Sequence, residues 1–149
     1  MELIRGVRPM NGGDIGQVVQ MEKTCFSEPW SENLICSGLD SRLDTYFVYA
    51  DHDSILGYCV LRILGDEGEI QRIAVWPQYR RQGIARKLMD AMVNYARRRG
   101  VLAVALEVRE SNEGARKLYD SYGFKQEAVR RGYYHNPQED AIIMWNRRI

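Results

Sequence analysis

The chain has 149 residues, 45% of them hydrophobic and 28% charged, with 21 Lys and Arg against 20 Asp and Glu for a net charge of +1. That length and apolar content fit one folded domain and exclude a disordered or fibrous chain. The balanced charge leaves no overall nucleic-acid footprint, and no apolar run reaches the roughly 20 residues that span a bilayer.

The first residues, MELIRGVRPMNGG, lack the apolar centre of a secretory signal. The three cysteines, Cys25, Cys36 and Cys59, are scattered and lack CxxC spacing. That argues against a disulfide framework or a zinc site and for a reducing cytoplasm, so no metal is expected. Positive charge is clumped at Arg80 and Arg81, Arg86 and Lys87, residues 97–99, Arg130 and Arg131, and Arg147 and Arg148. Beyond the first two clumps these read as solvated faces or helix ends.

Asp14 is placed to cap a helix whose apolar positions Ile15, Val18, Val19 and Met21 recur at helical spacing. Residues 27–30 read as a loop, and Ser31 caps a second short helix through Leu34, Ile35 and Leu39. Residues 45–50 (TYFVYA) are aromatic and β-branched, hence a strand. Turn residues 51–54 lead to a returning strand over 55–63, and a polar turn at 65–68 leads to a third strand over 69–75.

Pro77 ends that strand, and residues 78–83 form a polar loop. The period then changes: Ile84, Leu88, Ala91, Met92 and Tyr95 share one helical face, closed by arginines 97–99 and Gly100. Residues 101–108 (VLAVALEV) form an apolar strand of the kind buried on both faces. Ser111 or Asn112 caps a further helix to Tyr122, stopped by Gly123. Strands over 124–129 and 141–145 follow, with residues 133–138 as the loop between them. The order α-α-β-β-β-α-β-α-β-β makes a single mixed α/β domain over residues 1–149, with helices on both sides of one sheet.

Three places carry candidate chemistry. RRQGIA at 80–85 lies between a strand and a helix, where free backbone N–H groups and the helix dipole favour an anion such as a pyrophosphate. Gly83 and Ala85 allow close approach, and Arg80, Arg81 and Arg86 add charge. An ordinary strand–helix turn with one glycine is the other reading. GxxxxGK[ST] and GxGxxG are both absent.

Alternation along 101–108 puts Leu102, Val104, Leu106 and Val108 on one face and Ala103, Ala105 and Glu107 on the other. A carboxylate ending a row of alanines faces open space, as a general base would. A strand-end Glu paired with Arg109 or Arg72 is the alternative. On the next helix, Asn112, Ala115, Tyr119 and Tyr122 form one stripe. Tyr119 is either a core tyrosine or a proton donor sharing a cleft with Glu107. His52 and His135 are assigned no role.

These residues resemble the GNAT acetyltransferases. Ile73, Ala74, Val75, Pro77 and RRQGIA match their cofactor motif [Q/R]-x-x-G-x-[G/A]. LEVRESN at 106–112, Ala115, Leu118, Tyr119, Gly123, Phe124, Arg131, Tyr133, Tyr134, EDAIIM at 139–144 and FSEPWS at 26–31 resemble the bacterial ribosomal-protein alanine N-acetyltransferases within that family.

The resemblance implies the GNAT fold, a mixed, mostly antiparallel sheet flanked by helices on both faces. In that fold a bulge splays the strand ending at Val75 away from strand 101–108. It implies acetyl-CoA as cosubstrate, contacted by Ile73, Ala74, Val75, Arg81, Gln82, Gly83, Ile84, Ala85, Arg86 and Asn112. It also implies Glu107 as general base and Tyr119 as general acid. The implied partner is a protein N-terminus, the N-terminal alanine of protein eighteen of the small ribosomal subunit, with no nucleic acid and no membrane. Acetylation of lysine side chains or a small amine, and a non-catalytic acetyl-CoA-binding module, are the alternatives. Two positions depart from the pattern: Trp76 stands where an acidic residue is common, and Ala85 where many members carry Gly. Glu28, Glu32, Asp66, Glu67 and Glu69 flank the implied peptide side, either as selectors of a basic tail or as solvated loop charges.

Overall fold

A computed structural model describes residues 5–149. The chain runs β1 (Arg5–Pro9), α1 (Ile15–Cys25), α2 (Glu32–Leu39), β2 (Asp44–Asp51), β3 (Ser54–Leu64), β4 (Glu67–Val75), α3 (Ile84–Arg98), β5 (Ala103–Arg109), α4 (Glu113–Ser121), β6 (Lys125–Tyr134) and β7 (Glu139–Asn146). One seven-stranded sheet results, in the order β1-β2-β3-β4-β5-β7-β6. Every pairing is antiparallel except β4 with β5. That pair is parallel because α3 carries the chain back over the sheet between them, as a parallel pair requires.

β3 lies at the centre and is buried over most of its length. Tyr58 and Val60 join a cluster with Met10, Val18, Met21 and Ile35 beneath α1 and α2. Cys59 and Leu61 face the other way, to Leu88, Met89, Met92 and Phe124 beneath α3 and α4. Helices therefore cover both faces, as expected from the sequence. α3 buries Ile84, Leu88, Met89, Met92, Val93 and Ala96, while Ala91 and Tyr95 flank that stripe. No helix among the described residues is long and apolar enough to cross a membrane.

Four local expectations are corrected. β1 is a strand that the sequence reading left unassigned. Asp14 does not cap α1: its carboxylate takes Arg8 at 2.7 and 2.9 Å and the Asn11 N–H at 2.9 Å, inside a short 3-10 turn capped by Asn11. Leu102 precedes β5 and is 62% exposed, so it lies outside the core. β6 continues to Tyr134, which places Tyr133 and Tyr134 on a strand and not in a loop. The two caps read from Ser31 and Asn112 are present, Ser31 Oγ accepting from Leu34 N–H and Asn112 Oδ1 from Ala115 N–H.

Candidate active site

β4 and β5 pair only from Glu67 and Ala103 to Ile70 and Leu106. On its other edge β4 carries a bulge: Leu61 pairs with Ile70 and the adjacent Val60 with Arg72, leaving Gln71 extra. The added residue bends β4 and raises its twist, so its second half leaves β5 and a cleft opens between them. This is the splay implied by the resemblance.

Backbone groups of β4 consequently face the cleft. The Trp76 N–H goes to Leu56 O of β3 at 3.0 Å, while Val75 O points the other way and accepts from Arg80 Nε at 3.1 Å. In extended backbone a residue's N–H and C=O point to the same side, so the Val75 N–H is aimed into the cleft as well. Arg80 is thereby corrected: its guanidinium turns inward onto Val75 O, with Cys25 Sγ at 3.8 Å, and does not stand beside the loop as free charge.

At one end of the cleft is a cavity of about 600 Å³. Ile73, Ala74, Val75, Arg81, Gly83, Ile84, Ala85, Arg86 and Asn112 all line it. Gln82 does not; its side chain is turned to Arg5 of β1, which donates to Oε1 at 3.3 Å. Gly83 starts α3 in a left-handed conformation (φ 81°) with no side-chain cap and with open space where a Cβ would stand. Arg81 is also left-handed, at φ 64°. Uncapped N–H groups of a fifteen-residue helix with Arg81 and Arg86 beside them suit an anionic group approaching the backbone. Trp76 packs against the cluster beneath α1 and α2, so the bulk at this departure from the pattern is absorbed there.

The other end is a cavity of about 910 Å³ lined by residues from β4, β5, the segment following α1, and Tyr133, Tyr134 and His135. Cys25, Phe26, Ile73, Asn112 and Tyr119 border both cavities, and Glu107 lies in the larger. Glu107 is half-buried and pairs with Arg130 of β6 at 3.3 Å, its side chain 28% exposed. Tyr133 lines the same cavity, and its phenol is raised first by burial and then by the nearby Glu107 carboxylate. The expected alternative partners are committed elsewhere: Arg72 to Glu22 at 2.8 Å and Arg109 to Glu139 at 3.3 Å.

Tyr119 is 5% exposed, packed against Phe124. Burial, then the neighbouring Tyr134 and Cys59, pushes its phenol well above the ordinary range. The hydroxyl therefore keeps its proton across the neutral range. Tyr134 is pushed up to about 12, by burial and then by Glu107. Arg109, Phe26 and Tyr134 were not singled out from the sequence as site residues. For Arg109, its place two residues beyond Glu107 on the same strand face was the available signal.

The profile of the Acetyltransferase (GNAT) family matches residues 15–124. The chain is 34% identical over 134 residues to the [Ribosomal protein bS18]-alanine N-acetyltransferase of Haemophilus ducreyi, covering 88% of this chain and 92% of that protein. A crystal structure of the ribosomal-protein-S18-alanine N-acetyltransferase from Escherichia coli superposes with a TM-score of 0.87 at 31% identity, covering 95% of this chain and 92% of that one. Ard1 from Thermoplasma volcanium superposes with a TM-score of 0.90 at 29% identity, covering 99% of both chains. The splayed strands, the uncapped α3 terminus and these likenesses agree: the chain belongs to the GNAT family and is an acetyl-CoA-dependent N-acetyltransferase.

Proposed function

We propose that the chain acts as a single N-acetyltransferase domain in the cytoplasm. It transfers the acetyl group of acetyl-CoA to the α-amino group of a protein N-terminus, the N-terminal alanine of ribosomal protein bS18. The observation that supports this reading is that Glu107 and Tyr119 both line the larger cavity, while Tyr119 also lines the smaller one that adjoins it. The smaller cavity suits a pyrophosphate-bearing donor, and the larger admits an acceptor. The names of the relatives above support the choice of acceptor.

In this reading the ends of the site divide the work. The α3 N-terminus, Arg81 and Arg86 hold the donor's phosphates, while Ile73, Ala74, Val75 and Asn112 border its reactive arm. An α-amino group has a reference pKa of about 8, so it arrives largely as ammonium and must lose a proton before attack. Glu107 takes that proton, directly or through a water. The amine nitrogen then bonds to the thioester carbonyl carbon, the Val75 N–H stabilises the developing oxyanion, and the carbon–sulfur bond breaks. Tyr119, which holds its proton up to this point, donates it to the departing thiolate, and the second proton of the attacking nitrogen returns to the phenolate as the amide forms. No covalent enzyme intermediate is required.

The test is incubation with acetyl-CoA and a synthetic peptide beginning Ala-Arg and containing an internal lysine, read by fragment mass spectrometry. One acetyl group on the α-nitrogen is the expected product. Acetyl on lysine alone, or no product despite acetyl-CoA binding, overturns the reading.

A further inference from the structure

Two segments from distant parts of the chain meet over the larger cavity, and one side chain joins them. The Arg109 guanidinium donates to the carbonyl oxygens of His135 and Pro137, each at 2.9 Å, in the turn between β6 and β7. It also donates to Ser27 Oγ at 3.2 Å, in the segment after α1. The same group pairs with Glu139 at 3.3 Å and lies 4.5 Å from the centre of the Tyr134 ring. Ser27 Oγ in turn donates to His135 O at 3.3 Å, closing the link from the other side. The Arg109 side chain is 24% exposed, and Ser27, Arg109, Tyr134 and His135 all border the cavity.

Only a planar fork of five donors reaches a hydroxyl, two carbonyls and a carboxylate at once, and a lysine ammonium does not reproduce it. We infer that Arg109 is a positioning residue for the acceptor. It sets the spacing of the two segments over the larger cavity, and with it the fit of the incoming peptide, without touching the transferred acetyl group. This rests on reading the larger cavity as the acceptor site. Arg109 does not border the smaller cavity, so donor binding is independent of it.

The experiment measures kcat, peptide KM and acetyl-CoA affinity for wild type, Arg109→Ala, Arg109→Lys and Ser27→Ala. Peptide KM rises about tenfold or more in Arg109→Ala and about threefold in Ser27→Ala, with kcat and acetyl-CoA Kd each held within about twofold. Arg109→Lys recovers only part of the loss. A peptide KM unchanged in both alanine variants, or kcat and acetyl-CoA Kd worsening by the same factor as KM, overturns the inference while the functional reading stands. A wild type that acetylates no N-terminal peptide brings down both.

Discussion

Glu22 of α1 and Arg72 of β4 meet as a two-point ion pair although they are 50 residues apart, Nε to Oε2 at 3.1 Å and Nη2 to Oε1 at 2.8 Å. The Glu22 carboxylate is fully buried and also takes the Tyr58 hydroxyl and the Trp30 N–H. Arg72 in turn lies 3.8 Å from the Phe26 ring centre and 4.7 Å from that of Trp30. The pair fixes the segment after α1 against β4, on the edge of the larger cavity. Removing one member of such a pair strands the other without compensation, at a cost of about 3–5 kcal/mol. Glu22→Gln is therefore expected to lower the free energy of unfolding by that order, read from urea titration as a lower midpoint at unchanged slope. The double variant Glu22→Gln, Arg72→Met is expected to lose less than the sum of the two single changes.

Glu107→Gln keeps the side chain's size and removes its basicity. Turnover on an N-terminal peptide is expected to fall by about 10²–10⁴-fold, the usual contribution of a positioned base. Glu107 borders only the larger cavity, so calorimetry is expected to find acetyl-CoA affinity unchanged. A loss of affinity matching the loss of turnover rejects this role.

Gly83 carries φ 81° at the start of α3, with nothing within 4 Å of where a Cβ would stand. Gly83→Ala meets no clash, only the cost of a left-handed backbone, about 1 kcal/mol. A loop that relaxes from that conformation withdraws its N–H groups from the anion. Acetyl-CoA Kd is expected to rise while peptide KM at saturating donor stays constant, which initial-rate kinetics separates.

The buried phenols predict a limit at high pH. Tyr46, Tyr58 and Tyr119 are raised above the ordinary tyrosine range, each chiefly by burial, Tyr46 to about 12. The folded chain holds protons there that the unfolded chain has released near pH ~10. The stability they contribute is fully present below that pH and is lost as pH rises through the folded values. The slope is about 1.4 kcal/mol per pH unit for each phenol that unfolding releases. Urea titrations from pH 9 to 11 are expected to show the free energy of unfolding dropping only above pH ~10.

How far the sequence spoke depended on whether an element is held by its own pattern or by another's. α3 carries an apolar stripe legible from residue spacing, and β3 is an apolar run legible from the polar turns on either side of it. β1 has no such stripe: RGVRP is held by pairing with β2 from Arg5 and Asp51 to Pro9 and Phe47, and a borrowed strand leaves little mark in composition. The far end of β6 is hidden for a related reason. Its residues are mostly exposed, and Gly132 at φ 62° sits where the pairing with β7 is interrupted between Arg130 and Tyr134.

In the site, the positions of Glu107 and Tyr119 on strand and helix faces were readable, but their partners were not. Arg72 and Arg109 are each nearer in sequence to Glu107 than to Glu22 and Glu139, the partners they actually take. Arg130 reaches Glu107 only because β7 lies between β5 and β6. Ion-pair choice is a property of strand order, which residue spacing does not encode.

The parting of β4 from β5 after four paired residues has a thermodynamic consequence. Beyond Ile70 the facing strand edges lack the ladder that a continuous sheet would supply, and a molecule lying along β4 takes up hydrogen bonds that the chain leaves open. Such a molecule binds the folded state alone and so resists unfolding by mass action, by about 2.7 kcal/mol at a hundred times its Kd. The melting temperature should thus climb with the concentration of acetyl-CoA. Proteases will nick the chain fastest when that cosubstrate is depleted, which ties the lifetime of the enzyme to the supply of what it consumes.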